Sequence, residues 1–157
     1  MSDLQVDIVS VPPMRVASVR VVSETPERDA WEKMRAWAES KRLLTQPGAN
    51  PVFGFNNPPP AEGRKEYGYE FWIRVDPNTE VAGELEAKDF PGGLYAVTRC
   101  RLYGDPKGNV LEIWKRLWDW VVSSDYEWRR THELEKPVDP LAPEEELVLD
   151  LYLPIEG

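Results

Sequence analysis

The order of apolar and polar positions predicts two segments of the chain in which a strand is followed by a helix. Apolar and β-branched residues run through PPMRVASVRVVS, which begins at Pro12, and through PGGLYAVTRCRLYG, which begins at Pro91. Each run predicts a strand that follows a turn signal. Apolar positions three and four residues apart then predict one helix in PERDAWEKMRAWAESKRL and another in NVLEIWKRLWDWVVSS. The same order of elements therefore occurs twice.

The flanking segments extend this repeat. VFGFN and YGYEFWIRV follow the first helix, HELEKP and EELVLDLYLPI follow the second, and a strand candidate opens each half in LQVDIVSV and GELEAKDF. Ala17 and Ala96 align at an offset of about 79 residues, and Glu70 and Asp150 at about 80. We therefore predict one α+β domain of two strand–strand–helix–strand–strand units, about 3–76 and 82–155, with an antiparallel sheet that carries two long helices on one face. The alternative is coincidence, because many α+β domains alternate strands and helices.

Strand alternation assigns side chains to the two faces of this sheet. The leucines of LVLDLYL share one face, which we expect to pack under the helices, and Leu134 is assigned to the same side. The other face is predicted to form a ligand groove. Aromatic rings attract cations and a partly buried carboxylate selects positive charge, so the expected ligand is a flat, lipophilic, cationic molecule. The alternative is a second apolar cluster under the loops, with its acids at the solvent edge. The predicted groove residues are Phe53, Phe55, Glu70, Trp72, Tyr95, Glu133, Glu135, Asp150 and Tyr152.

The charge balance bears on possible partners. The 157 residues include 28 acidic and 19 basic side chains, which gives a net charge of −9. A nucleic-acid-binding surface normally shows clustered Lys and Arg, so we expect no direct nucleic-acid partner. The single cysteine, Cys100, cannot form an internal disulfide, and no run approaches the roughly 20 apolar residues that cross a membrane. We expect a cytoplasmic protein without a membrane partner, and monomer and dimer are both left open.

Catalytic chemistry has few candidates in this sequence. His132 is the only histidine, has no nearby nucleophile in the sequence, and is interpreted as a surface residue. One His and one Cys do not make the usual zinc sets, and no phosphate-binding glycine motif is present, so we expect no metal and no cofactor. Glu135 is the candidate catalytic residue, because a carboxylate buried among aromatic rings has a raised pKa and can act as a general acid or base. The alternative for Glu135 is a rim salt bridge with Arg99 or Lys136.

At the level of whole motifs the sequence resembles the GyrI-like effector-binding domains, also called AraC-type or integron-associated effector-binding domains. The resemblance runs from about Val6 to Ile155. It is carried by FGFNNPPP from Phe53, YGYEFWIRV from Tyr67, FPGGLYAV from Phe90, the tryptophans of the second helix, LEK at Leu134 and DLYLPI from Asp150.

This resemblance implies a tandem fold of the kind predicted above and a sensor of lipophilic, often cationic, small molecules. The family's pocket carboxylate lies in an apolar–Glu–x–Tyr motif, whose matching residue is Glu135. The sequence departs from that motif at Pro137, where a tyrosine is usual. We expect an effector-binding protein without a DNA-binding module, in which the loop from Asn56 to Glu66 acts as a flap. The alternatives are a hydrolase of reactive small electrophiles that uses Glu135 and a protein-interaction module of the gyrase-inhibitor type.

Overall fold

A computed structural model describes residues 4–45, 48–101, 106–143 and 146–157, and it leaves the side chains of 106–108 undescribed. The described chain contains two helices and nine strands. Its two longest strand pairs, Met14–Ser23 with Tyr67–Arg74 and Gly93–Arg101 with Val148–Glu156, are antiparallel. The α+β class predicted from the sequence is therefore confirmed. The elements are β1 (Asp7–Val11), β2 (Met14–Ser23), α1 (Pro26–Ser40), β3 (Val52–Asn56), β4 (Tyr67–Arg74), β5 (Glu86–Phe90), β6 (Gly93–Arg101), α2 (Pro106–Val122), β7 (Glu127–Trp128), β8 (Leu134–Pro137) and β9 (Val148–Glu156).

The elements form two compact units. The N-terminal unit is Met14–Phe90 and has the strand order β3-β4-β2-β5. The C-terminal unit combines β1 with Pro91–Gly157 and has the strand order β1-β6-β9-β8, with β7 paired to β9. These units differ from the predicted halves by an exchange of opening strands, since β1 pairs with β6 and β5 pairs with β2.

Proline and glycine residues form the short connections that follow the opening strands β1 and β5. Pro12 and Pro13 separate β1 from β2, and Pro91 and Gly92 separate β5 from β6. Proline lacks the N–H that a tight antiparallel hairpin uses and holds the preceding residue extended. Gly92 has φ +73°. A Cβ there would lie 2.2 Å from the carbonyl oxygen of Val11, so a residue with a side chain does not fit this close approach.

The core of the N-terminal unit lies between α1 and its sheet. Pro26 occupies the first turn of the helix, where its missing N–H costs nothing, and Glu27 and Asp29 complement the positive end of the helix dipole. One face of α1 is buried against the strands, as the spacing of its apolar residues predicts. The cluster consists of Ala17, Val19, Met34, Ala38, Leu44, Val52, Ile73, Val75 and Leu85.

The C-terminal unit has an equivalent core beneath α2. Leu151 and Leu153 of β9 are buried there, which confirms the face predicted for the leucines of that strand. Cys100 is also buried in this core, as expected for a small apolar side chain. Its remaining members are Ala96, Leu117, Val121 and Ile155. Neither helix, in the part of the chain that the structure describes, is long and apolar enough to cross a membrane.

Candidate functional site

The face of the N-terminal sheet that points away from α1 carries four of the predicted site residues. In the register of β3 and β4, Phe53 lies opposite Trp72 and Phe55 lies opposite Glu70. The alternate residue Ile73 packs under the helix instead. The predicted assignment of these strands to faces is therefore confirmed.

These aromatic side chains are packed against one another. The ring centroid of Trp72 lies 4.8 Å from that of Phe55 and 5.2 Å from that of Phe90. Phe53 lies 6.4 Å from Phe90, and all four rings are buried. Edge-on and tilted ring pairs of this kind add packing energy beyond the area that they bury. This part of the predicted groove therefore has the packing of a second apolar cluster.

A carboxylate lies inside this cluster and is bonded by four donors. Glu70 is only 1% exposed. Its Oε2 accepts hydrogen bonds from Ser18 Oγ at 2.7 Å, Trp72 Nε1 at 2.6 Å and Lys88 Nζ at 2.9 Å. Its Oε1 accepts from Asn57 Nδ2 at 3.1 Å. A buried charge is tolerated when it is paired and hydrogen-bonded in this way.

The electrostatics of Glu70 combine two opposed effects. Burial, the larger single effect, raises the pKa of this carboxyl. Hydrogen bonds from Lys88, Ser18, Trp72 and Asn57 together outweigh it, so the pKa of Glu70 lies below its ordinary value. Glu70 is therefore an anion at neutral pH.

In the C-terminal unit, Tyr95 and Tyr152 share the face that points away from α2. Tyr152 lies opposite Val97 in the register, and the two tyrosine rings meet edge to face at 5.7 Å. Both rings are buried. The guanidinium of Arg129 lies 5.0 Å from the centre of the Tyr95 ring, at cation–π distance. Burial raises the pKa of both hydroxyls, and the proximity of Arg129 partly offsets this effect at Tyr95.

Glu135 does not lie on that face, and the predicted orientation of β8 is wrong. Leu134 lies opposite Tyr152, whereas Glu135 lies opposite Leu151, which belongs to the core beneath α2. Trp114 of α2 accordingly lies beside Glu135, with 3.4 Å between its Nε1 donor and Oε2 of the carboxylate. The prediction assumed that the helix-facing side is the apolar side. Both faces of this sheet carry buried residues, and Leu134 is buried on the face that points away from α2, opposite Tyr152.

The charge of Glu135 acts on the thiol of Cys100. Burial raises the pKa of Cys100, and the negative charge of Glu135 raises it further. Glu135 itself is half-buried. The helix-facing side of this unit therefore combines an indole, a carboxylate and a buried thiol.

The two remaining predicted acids, Asp150 and Glu133, are more exposed to solvent than Glu70. Asp150 forms an ion pair with Arg99, with 3.0 Å between Asp150 Oδ1 and Arg99 Nε, and Lys136 lies opposite Asp150 in the register. Arg99, one of the two predicted salt-bridge partners of Glu135, therefore pairs with Asp150. Glu133 is exposed over more than a third of its surface, although desolvation by the surrounding protein raises its pKa. His132 is exposed, as predicted.

Several residues around these carboxylates were missed by sequence reasoning. Ser18 lies on β2, which pairs with β4, and Lys88 lies on β5, on the far side of β2. Both side chains reach Glu70, but the local sequence pattern does not indicate this order of strands. Asn57 comes from the proline-rich loop, and Trp114 is predicted from its spacing only as a core residue of α2. Across the described ranges, no group of three or more His, Cys, Asp and Glu side chains is placed to hold a metal ion.

The family of the chain follows from a sequence comparison. The family model described as "Cass2: Integron-associated effector binding protein" matches residues 7–155. The chain belongs to this family. The resemblance drawn from its motifs is thereby confirmed. No curated protein sequence is significantly similar to the chain.

Solved structures share the fold at low sequence identity. The C-terminal domain of EcmrR is 15% identical, with a TM-score of 0.68 and 98% of each chain covered. In a complex of EcmrR with DNA, at 16% identity and a TM-score of 0.70, the match covers 98% of this chain and 57% of that one, so this chain spans little more than half of that protein. A hydrolase from Listeria innocua is 10% identical, with a TM-score of 0.66 and 99% and 94% covered. SAV2435, bound to tetraphenylphosphonium, is 10% identical, with a TM-score of 0.60 and 98% and 95% covered.

Proposed function

We propose that this protein binds a small lipophilic cation as its effector and that Glu135 supplies the negative charge that selects it. The observation that carries the proposal is the pairing of Glu135 with the indole of Trp114 at 3.4 Å on the helix-facing side of β8. Membership of an effector-binding family supports small-molecule binding as the general function. SAV2435, a protein of the same fold, is bound to a lipophilic cation in its solved structure.

The physical argument rests on the combination of charge and aromatic surface. An indole face attracts a cation by about 0.5–2 kcal/mol, and more of this attraction is realised as the site loses water. A half-buried carboxylate adds a charge whose field is less screened than that of a surface acid. The net charge of −9 attracts cations at long range. A lipophilic cation gains from all three effects, whereas a neutral molecule of the same shape gains from packing alone.

Of the residues predicted for the groove, the proposal retains Glu135 as a ligand-binding residue, and it adds Trp114, which the prediction did not include. The buried rings of Phe53, Phe55 and Trp72 are assigned to the packed layer around Glu70, and Tyr95 and Tyr152 to the equivalent layer of the C-terminal unit. No contact between the ligand and these side chains is needed for the proposal.

Calorimetric titration with tetraphenylphosphonium tests the proposal. We expect saturable binding to the wild-type protein and an affinity roughly tenfold lower in Glu135→Gln, equivalent to about 1.4 kcal/mol. Glu133→Gln is the matched control, because it removes the same charge one residue before the start of the same strand and is expected to leave the affinity unchanged. Triphenylphosphine oxide, a neutral molecule of similar bulk, is expected to bind more weakly. Equal binding of tetraphenylphosphonium by wild type and Glu135→Gln would contradict the role of Glu135.

A further inference from the structure

Lys88 reaches Glu70 from the edge of the N-terminal sheet. It lies on β5, the last strand in the order β3-β4-β2-β5, whereas Glu70 lies on β4. Lys88 is opposite Val16 of β2, and Glu70 is opposite Arg20 of the same strand. The lysine side chain therefore runs diagonally across β2 to place Nζ 2.9 Å from Glu70 Oε2.

Two other donors to the same carboxylate oxygen come from β2 and β4. Ser18 and Trp72 donate to the same oxygen from β2 and β4, which pair with each other along eight residues. The indole of Trp72 also packs against the rings of Phe55 and Phe90. A carboxylate oxygen that keeps two fixed donors beside aromatic rings is a recognition element for one further donor, and that donor here is an ammonium.

Lys88 also provides the opening toward solvent. Its side chain is 39% exposed, whereas that of Glu70 is 2% exposed. The ammonium is held by the buried carboxylate, while the Lys88 side chain as a whole is partly exposed, so the Glu70 cluster adjoins the protein surface. Truncation of the stem at Cβ removes three carbons and the nitrogen, a fragment with the shape of n-propylammonium.

We propose that the Glu70 cluster is a binding site for a primary alkylammonium group, which the side chain of Lys88 occupies in the resting protein. A primary ammonium fits because it supplies N–H donors to Oε2, and a quaternary or phosphonium cation has none to give. The class of ligand therefore differs from the lipophilic cation proposed for Glu135. The inference does not rest on that proposal, because it involves neither Glu135 nor Trp114.

Chemical rescue of Lys88→Ala tests the inference. Removal of one partner from a buried ion pair leaves the other charge uncompensated, so we expect the Tm of Lys88→Ala to fall by roughly 5 °C or more. Millimolar n-propylammonium chloride is expected to recover at least half of this loss along a saturating curve. The exposed pair of Lys33 and Glu84, at 2.7 Å, supplies the matched control, since Lys33→Ala is expected to lose little and to gain nothing from the amine.

Three comparisons identify the source of any rescue. n-Propanol has the shape without the charge, tetramethylammonium has the charge without N–H donors, and sodium chloride reproduces the ionic strength. None of them is expected to restore the Tm of Lys88→Ala. The double variant Lys88→Ala/Glu70→Gln is expected to be insensitive to n-propylammonium, because the carboxylate that receives the ammonium is gone.

Each other result overturns the inference. A Lys88→Ala protein with the wild-type Tm, a folded variant that n-propylammonium does not stabilise, or equal recovery with n-propanol or sodium chloride would each do so. Rescue that persists in the double variant would place the amine elsewhere. If Lys88→Ala does not fold, refolding in the presence of n-propylammonium replaces the Tm measurement. Failure to recover native protein in that experiment would also contradict the inference.

Discussion

Trp114 and Glu135 meet on the side of the C-terminal unit that faces α2, with 3.4 Å between Nε1 of the indole and Oε2 of the carboxylate. Glu135 comes from β8 and Trp114 from the middle of α2, so the contact joins the helix to the sheet. The same carboxylate acts on the thiol of Cys100 in β6. This relationship makes the charge of Glu135 measurable without any ligand.

The ionisation of Cys100 reports that charge. Burial and the negative charge of Glu135 both raise the pKa of the Cys100 thiol. Because Cys100 is buried and closed to a labelling reagent, its titration is followed in the folded protein by the NMR chemical shift of its Cβ. Glu135→Gln removes the second cause, so the titration of Cys100 is expected to shift to lower pH, and Glu133→Gln is the control. A titration curve that Glu135→Gln leaves in place would mean that the two groups are not electrostatically coupled.

Acid stability tests the donor set around Glu70. The pKa of the folded carboxyl lies below the unfolded value of 4.5, so the anion's contribution to stability is complete above about pH 4.5 and is lost as the pH falls through the lower, folded pKa. Glu70→Gln is expected to be less stable at neutral pH and to lose less stability between neutral pH and the acid range. Urea unfolding at a series of pH values measures both effects. Glu86→Gln, an exposed acid on β5, is the control. If Glu70→Gln lost as much unfolding free energy between neutral and acid pH as the wild type does, the result would contradict the stabilisation of the Glu70 anion by its four donors.

Gly92 lies between β5 and β6, where its backbone approaches the carbonyl group of Val11. Ala at this position faces a carbonyl oxygen at 2.2 Å in addition to the strain of φ +73°. Gly83 has a similar φ of +75° and nothing within 4 Å of an added Cβ, so Gly83→Ala isolates the strain. We expect Gly83→Ala to cost about 1 kcal/mol and Gly92→Ala clearly more. Chemical denaturation measures the difference, and equal costs would contradict the close approach of Gly92 to Val11.

Sequence periodicity was sufficient for both helices, for every strand except the two-residue β7, and for the helix-facing side of β9. Helical spacing identified the buried side of α1, and strand alternation placed Phe55, Glu70 and Trp72 together, because both signals are local. The pairing of β1 with β6 was not predicted, since a strand's own pattern does not name its neighbour. Leu134 and Glu135 were assigned to the wrong faces because an apolar residue indicates burial, and both faces of that sheet carry buried residues. The donors to Glu70 come from β2, β5 and a loop, which only the tertiary fold brings together.

The most direct measurement follows the tryptophan indole N–H signals by NMR while tetraphenylphosphonium is added. The chain has 7 tryptophans, and the variants Trp114→Phe and Trp72→Phe assign the two signals that matter. The account predicts that the Trp114 signal moves and saturates with the binding curve, while the Trp72 signal, whose donor is held by Glu70 at 2.6 Å, stays in place. Movement of the Trp72 signal with no change at Trp114 would contradict the assignment of the cation to Glu135.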